Sequence, residues 1–176
     1  VCPSGLGRLA QLESEDTGKP IRPARSPDIP RAARNLRFFA AFLRDRQEPS
    51  FRSEGFLHRT VRSPVGVVAL VTPWNLPLYL LSWKVAPALG LGNAVVAKPS
   101  ELTPRTADAL ADLLAEAGLP EGLYNVVQGL GPEAGDALVR HPGVRALRFT
   151  GGTATGSLVA PAGAAAGPRR MRLVRG

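Results

Sequence analysis

A single cysteine, Cys2, stands in 176 residues, so no disulfide can form within the chain. Only His58 and His141 could join it as metal ligands, and the three lie far apart without ligand spacing, which excludes a Cys-based zinc site. Long apolar runs are missing as well. The longest, from Leu76 to Gly92, is broken by Pro77, Lys84 and Pro87, and the first twenty residues hold no charged-then-apolar leader. Aromatic residues make up 6% of the chain and lack the clustering of RNA-binding sheets. These absences predict a cytoplasmic protein in a reducing compartment, with no metal site and no membrane partner. The missing initiator Met leaves an upstream targeting segment open.

The formal net charge of +8 invites a nucleic-acid reading until it is divided along the chain. Residues 1–62 carry 12 basic and 7 acidic side chains, residues 63–150 carry 6 and 7, and residues 151–176 carry 4 and none. The excess sits in the flanks and the middle is nearly neutral, so no basic groove crosses the predicted core and no nucleic-acid partner is expected.

With 44% apolar residues, the chain holds enough hydrophobic material for one globular domain with extensions. Residues 1–62 read as an N-terminal segment: a stretch from Leu6 to Asp16 ended by Pro20, then an amphipathic helix over 31–47 with Leu36, Phe39, Ala40 and Leu43 on one face. Alternation from Gly55 predicts an exposed strand ending before Pro64, with His58 an ordinary strand residue. From residue 63 the rhythm is regular. The runs 65–71, 94–98, 123–127 and 145–150 read as buried parallel strands, and the stretches 78–89, 104–117 and 132–140 read as the helices between them, the second capped by Thr103. This β-α-β-α-β-α-β order predicts a Rossmann-like, doubly wound α/β sheet over 63–158, with ligands at the carboxyl ends of the strands and the strand at 145–150 as its last. Residues 159–176, rich in Ala, Gly and Arg, are expected to be an unstructured tail.

Each strand end carries something polar or glycine-rich. The first runs into Thr72-Pro73-Trp74-Asn75-Leu76-Pro77, where two prolines stiffen a turn that can aim the Asn75 amide as a donor. The second ends in Lys98-Pro99-Ser100-Glu101, the third in Gly129-Leu130-Gly131-Pro132, and the fourth in Phe149-Thr150-Gly151-Gly152-Thr153-Ala154-Thr155-Gly156. Singly these signals are weak: a turn residue, a surface ion pair, a glycine loop able to face a phosphate. The usual G-x-G-x-x-G does not follow the first strand.

Taken together, Pro-Trp-Asn-Leu-Pro, Lys-Pro-Ser-Glu-Leu-Thr-Pro, Asn-Val-Val-x-Gly-x-Gly-Pro and Phe-Thr-Gly-Gly-Thr-x-x-Gly, in this order, resemble the NAD(P)-dependent aldehyde dehydrogenase superfamily. The likeness reaches back to Glu15-Asp16-Thr17-Gly18-Lys19-Pro20, and Asp28-Ile29-Pro30-Arg31 and the segment 73–87 are most similar to the muconic semialdehyde dehydrogenases of 2-aminomuconic or 2-hydroxymuconic type. The resemblance implies oxidation of a small-molecule aldehyde to a carboxylate with NAD, and less readily NADP. It implies an oxyanion donor in Asn75, an adenosine ribose held by Lys98 and Glu101 with Ser100 between them, and a cofactor cleft lined by Val71, Thr72, Pro73 and Trp74. It further implies an adenine bordered by Gly131 and Pro132, and a pyrophosphate approached by the loop Gly151, Gly152, Thr155 and Gly156, led into by Phe149 and Thr150. Lys84 matches a lysine near the catalytic centre, or is a helix-surface residue. Many members carry Ser where this chain has Gly152.

The same resemblance requires a Cys nucleophile, which forms a thiohemiacetal, and a general-base Glu in a Glu-Leu-Gly-Gly-Lys strand beyond the phosphate loop. Neither follows Val159, and Cys2 lies upstream of every motif. The expectation is therefore a fragment of a longer, homo-oligomeric enzyme, inactive alone. The alternative is a non-catalytic module that pairs with full-length subunits.

Overall fold

The computed structural model describes residues 3–167 and 170–175. Helix α1 (Pro3–Thr17) is followed by a short turn of helix α2 (Ile21–Pro23), a wide π-type turn (Ala24–Asp28) and helix α3 (Ile29–Asp45). Strands β1 (Ser50–Ser53) and β2 (Phe56–Arg59) form an antiparallel hairpin, exposed along its whole length. Then come β3 (Val67–Val71), α4 (Pro77–Gly90), β4 (Ala94–Lys98), α5 (Arg105–Glu116), β5 (Tyr124–Val126), a π-type turn (Gly131–Gly135) running into α6 (Asp136–Arg140), β6 (Val144–Gly151), α7 (Thr153–Ala165) and β7 (Arg170–Arg175).

Five of the strands form one parallel sheet in the order β5-β4-β3-β6-β7. Because the side-chain period of a strand is two, β3 can bury both faces. Val68 and Leu70 enter a core with Leu9, Ile29, Leu81, Val85 and Leu110, while Ala69 enters a second core with Val139, Leu147 and Ala162. Helices α1, α3, α4 and α5 thus cover one face, and α6 and α7 the other. Two buried amides fix the connections. Asn35 donates to Ser82 Oγ (2.8 Å), joining α3 to α4, and Asn93 accepts from the Val65 N–H (2.8 Å) while donating to the Ala88 carbonyl (3.0 Å).

Three expectations fail. Over its described residues the segment 159–176 is not an unstructured tail: 153–165 are helical and 170–175 pair with β6. Alanine favours the helix, and the small Ala162 and Gly163 let α7 approach the sheet so closely that a Cβ at 163 would lie 2.6 Å from Met171 Sδ. In β7, Met171 and Leu173 alternate with Arg170 and Arg172, which is strand period. Strand β6 is accordingly not the last, since β7 covers its outer edge. Thr103, moreover, does not cap α5. Pro104 holds the cap position, the buried Thr103 hydroxyl makes no hydrogen bond among the described residues, and the Arg105 N–H is taken by Asp16 Oδ2 (3.0 Å) from the end of α1.

Candidate functional site

Strand order places a topological switch at β3. The chain steps outward through β4 and β5, then returns to the other side of β3 as β6, leaving a crevice above the carboxyl ends of β3 and β6. The register brings three of the four sequence-predicted strand ends together: Val71 pairs with Lys98 on one side and with Phe149 on the other. The Thr72 N–H continues the ladder to the Lys98 carbonyl (3.3 Å). The Thr72 hydroxyl is buried and makes no hydrogen bond among the described residues.

Lys98 is buried, 3% exposed, and its Nζ donates to Glu101 Oε2 at 3.1 Å. The half-exposed Glu101 carboxyl is held below the usual carboxylate range, first by its own backbone N–H and then by Lys98. An ammonium donor and a carboxylate acceptor three residues apart suit the hydroxyl pair of a ribose. Ser100 Oγ is occupied locally, accepting from the Leu102 N–H (3.3 Å). The π-type turn with Gly131 and Pro132 reaches the same place from β5, since a Cβ on Gly135 would touch the Lys98 stem at 4.0 Å.

The fourth strand end differs in form from the expected loop. Gly151 closes β6, Gly152 is the cap residue of α7, and Thr153, Ala154, Thr155 and the buried Gly156 belong to its first turns. Glycine is required at 151, because a Cβ there would lie 2.6 Å from the Phe149 ring. At 152 nothing lies within 4 Å of such a Cβ. This open position stands at the N-terminus of a thirteen-residue helix, where the helix dipole favours an anion.

Asn75 and Trp74 are exposed in the turn between β3 and α4. Sequence reasoning missed what holds that turn. Glu13, fully buried in α1, accepts from the Leu78 N–H (3.3 Å) in the first turn of α4; Lys19 bonds Glu13 (3.4 Å), Asp28 (2.8 Å) and the Asn75 carbonyl (3.2 Å). Burial pushes the Glu13 carboxyl upward, against the opposing pull of Lys19. A signal was present, since Glu13 falls at helical spacing on the stripe of Leu6, Leu9 and Ala10.

Lys84 lies partly buried in α4, donates to the Leu80 carbonyl (3.1 Å), and is pushed down to about 8 by burial and by nearby Arg148. His58 stacks on Phe51 in the hairpin, ring centres 4.5 Å apart. Cys2 lies outside the described residues. Among those residues no group of three or more His, Cys, Asp or Glu could hold a metal ion, and no helix is long and apolar enough to cross a membrane.

An open parallel sheet wrapped on both faces, with polar groups gathered at its switch point, defines a Rossmann-like α/β domain. Residues 5–174 match the model of the aldehyde dehydrogenase family, and the chain belongs to that family. It is 53% identical over 156 residues to 2-aminomuconic semialdehyde dehydrogenase of Danio rerio, covering 88% of this chain and 32% of the relative. It is 52% identical over 149 residues to 5-carboxymethyl-2-hydroxymuconate semialdehyde dehydrogenase of Escherichia coli, covering 84% and 32%. The crystal structure of PnpE in complex with nicotinamide adenine dinucleotide superposes with a TM-score of 0.91 at 44% identity, over 96% of this chain and 35% of that one. The chain spans about a third of the length of the curated relatives it matches.

Proposed function

We propose that this chain is the dinucleotide-binding part of an NAD-dependent aldehyde dehydrogenase acting, as a whole protein, on a muconic-type semialdehyde. The observation that carries the reading is the register of Lys98, Val71 and Phe149, which lines up a ribose-binding pair, a cleft wall and the approach to a helix N-terminus across three adjacent strands. In this reading Lys98 and Glu101 hold the adenosine ribose, Val71 to Trp74 line the cleft, Gly131 and Pro132 border the adenine, and 151–156 receive the pyrophosphate. When bound, the nicotinamide supplies a hydride acceptor for the aldehyde carbon.

Asn75 is the donor toward the developing oxyanion, its turn steadied by Lys19. The similarity to semialdehyde dehydrogenases at about half identity supports the substrate class. The exposed β1–β2 hairpin, with Phe56 69% exposed, supports a subunit contact in a homo-oligomer. Beyond Cys2 the chain holds no cysteine, and β7 carries no carboxylate. Alone, the chain therefore binds the cofactor and does not turn over aldehyde.

Glu101 favours NAD, because a carboxylate accepts from a 2′-hydroxyl and repels a 2′-phosphate. Titration calorimetry of the chain should give saturable NAD binding, weaker NADP binding, and at least tenfold weaker NAD binding after Lys98→Met. Tighter binding of NADP would contradict the preference, and unchanged NAD affinity in the variant would remove Lys98 from the site.

A further inference from the structure

The chain has three lysines, and two of them are held by carboxylates. Lys19 pairs with Glu13 and Asp28, and Lys98 pairs with Glu101, so both ammonium groups are fixed in their protonated form. Lys84 has no such partner among the described residues. It lies partly buried on α4, its Nζ donating to the Leu80 carbonyl (3.1 Å), beside an open cleft that a small molecule can enter. Every other Asp, Glu, Lys or Arg lining that space is an arginine. Arg148 comes from β6, Arg170 and Arg172 come from β7, α4 adds the phenol of Tyr79, and α3 adds only the ring of Phe39. None of these arginines joins an ion pair among the described residues. The register gathers them: Arg148 pairs directly with Arg172 and Ala146 with Arg170, and residues two apart share a face. Like charges directly opposite are destabilising in a sheet, so an anion created among them relieves repulsion as it forms.

We propose that Lys84 is a site of reversible carboxylation by carbon dioxide, which converts its amine to a carbamate. The nitrogen attacks the carbon of carbon dioxide, an N–C bond forms, one C=O π pair moves onto oxygen, and a proton leaves the nitrogen for solvent. Nothing is oxidised or reduced. The reaction needs an unprotonated amine and cations to hold the product, and this position supplies both. Burial and Arg148 push the ammonium down to about 8, which frees a fraction of the amine near neutral pH. Guanidinium groups then meet the new carbamate oxygens with paired donors. The sign of the product separates this chemistry from condensation with a carbonyl compound. A protonated imine would keep a cation facing Arg148, whereas a carbamate replaces it with an anion. The inference rests neither on the cofactor reading nor on the aldehyde.

The test is carbon NMR of the whole chain in isotope-labelled bicarbonate, with the lysine side-chain nitrogens labelled as well. One carbamate resonance split by a lysine nitrogen is expected, and at fixed dissolved carbon dioxide it should grow as pH rises through about 8. Alkylation with a trialkyloxonium reagent, followed by peptide mass spectrometry, should place the adduct on Lys84 and not on Lys19 or Lys98. Lys84→Met and Lys84→Arg should each abolish it. Arg148→Met should lower the carbamate formation constant about tenfold or more, whereas Arg34→Met on α3, outside the cleft, should leave it unchanged. Cooperative thermal unfolding of each variant separates a lost adduct from a lost fold. No carbamate in saturating bicarbonate, an adduct confined to other amines, or an unchanged constant in Arg148→Met would overturn the proposal.

Discussion

Lys84 links burial to a measurable pH response. Its ammonium is pushed from the ordinary 10.5 to about 8, so between those values the unfolded chain binds more protons than the folded one, and stability rises with pH. Tyr124 acts in the opposite sense above about pH 10. Burial, and then the nearby Asp108, raise its hydroxyl, so the unfolded chain ionises first and stability is lost. Denaturant titrations should therefore show a gain of up to about 3 kcal/mol from pH 7 toward pH 10, followed by a decline; Lys84→Met should remove the gain and keep the decline. A gain that persists in the variant would assign it elsewhere. Gly152 provides a second residue-level test. Open space surrounds its missing Cβ, and Ser is a better helix cap than Gly, so Gly152→Ser should fold normally, melt slightly higher, and bind NAD more tightly by adding a hydroxyl at the helix N-terminus. Weaker NAD binding in that variant would mean the cap residue does not approach a phosphate.

Elements are joined at the site by charges that no strand or helix pattern announces. Lys19 leaves α1, meets Glu13 and Asp28, and reaches the Asn75 carbonyl, so the turn before α4 is tied to the N-terminal helices. Removing the cation leaves a fully buried carboxylate uncompensated, and Lys19→Met should cost about 3–5 kcal/mol in denaturant unfolding, of which the double variant with Glu13→Gln recovers a large part. Additive losses would show that the two groups do not act as a pair. The same element boundary explains the cap of α5. Glu15 and Asp16 at the end of α1 bind Arg105, supplying from a distant helix what Thr103 was expected to supply locally. Short-range patterns place α3, α4, β3 and β4 within a residue or two because apolar spacing dictates them. They misread β7, whose alternating Met171 and Leu173 are outnumbered by arginines, and α7, whose Ala and Gly run looks like low complexity until it packs on Leu147 and Val139.

At the scale of the whole molecule, the switch point beside β3 was legible from the alternation of apolar runs and helices, and the residues gathered there were legible as strand-end motifs. What the sequence could not reveal was set by pairing across the sheet: the fifth strand, the opposition of Arg148 and Arg172, and the conversion of the glycine loop into the first turn of α7. The central claim is that the strand ends around Val71, Lys98 and Phe149 form one dinucleotide cleft. Its most direct test is an NMR titration of the isotope-labelled chain with NAD. Saturable amide shifts are expected at 71–75, 98–101, 131–132 and 149–156, with the hairpin at 50–59 unmoved. Shifts absent from those four strand ends, or centred on another surface, would contradict it.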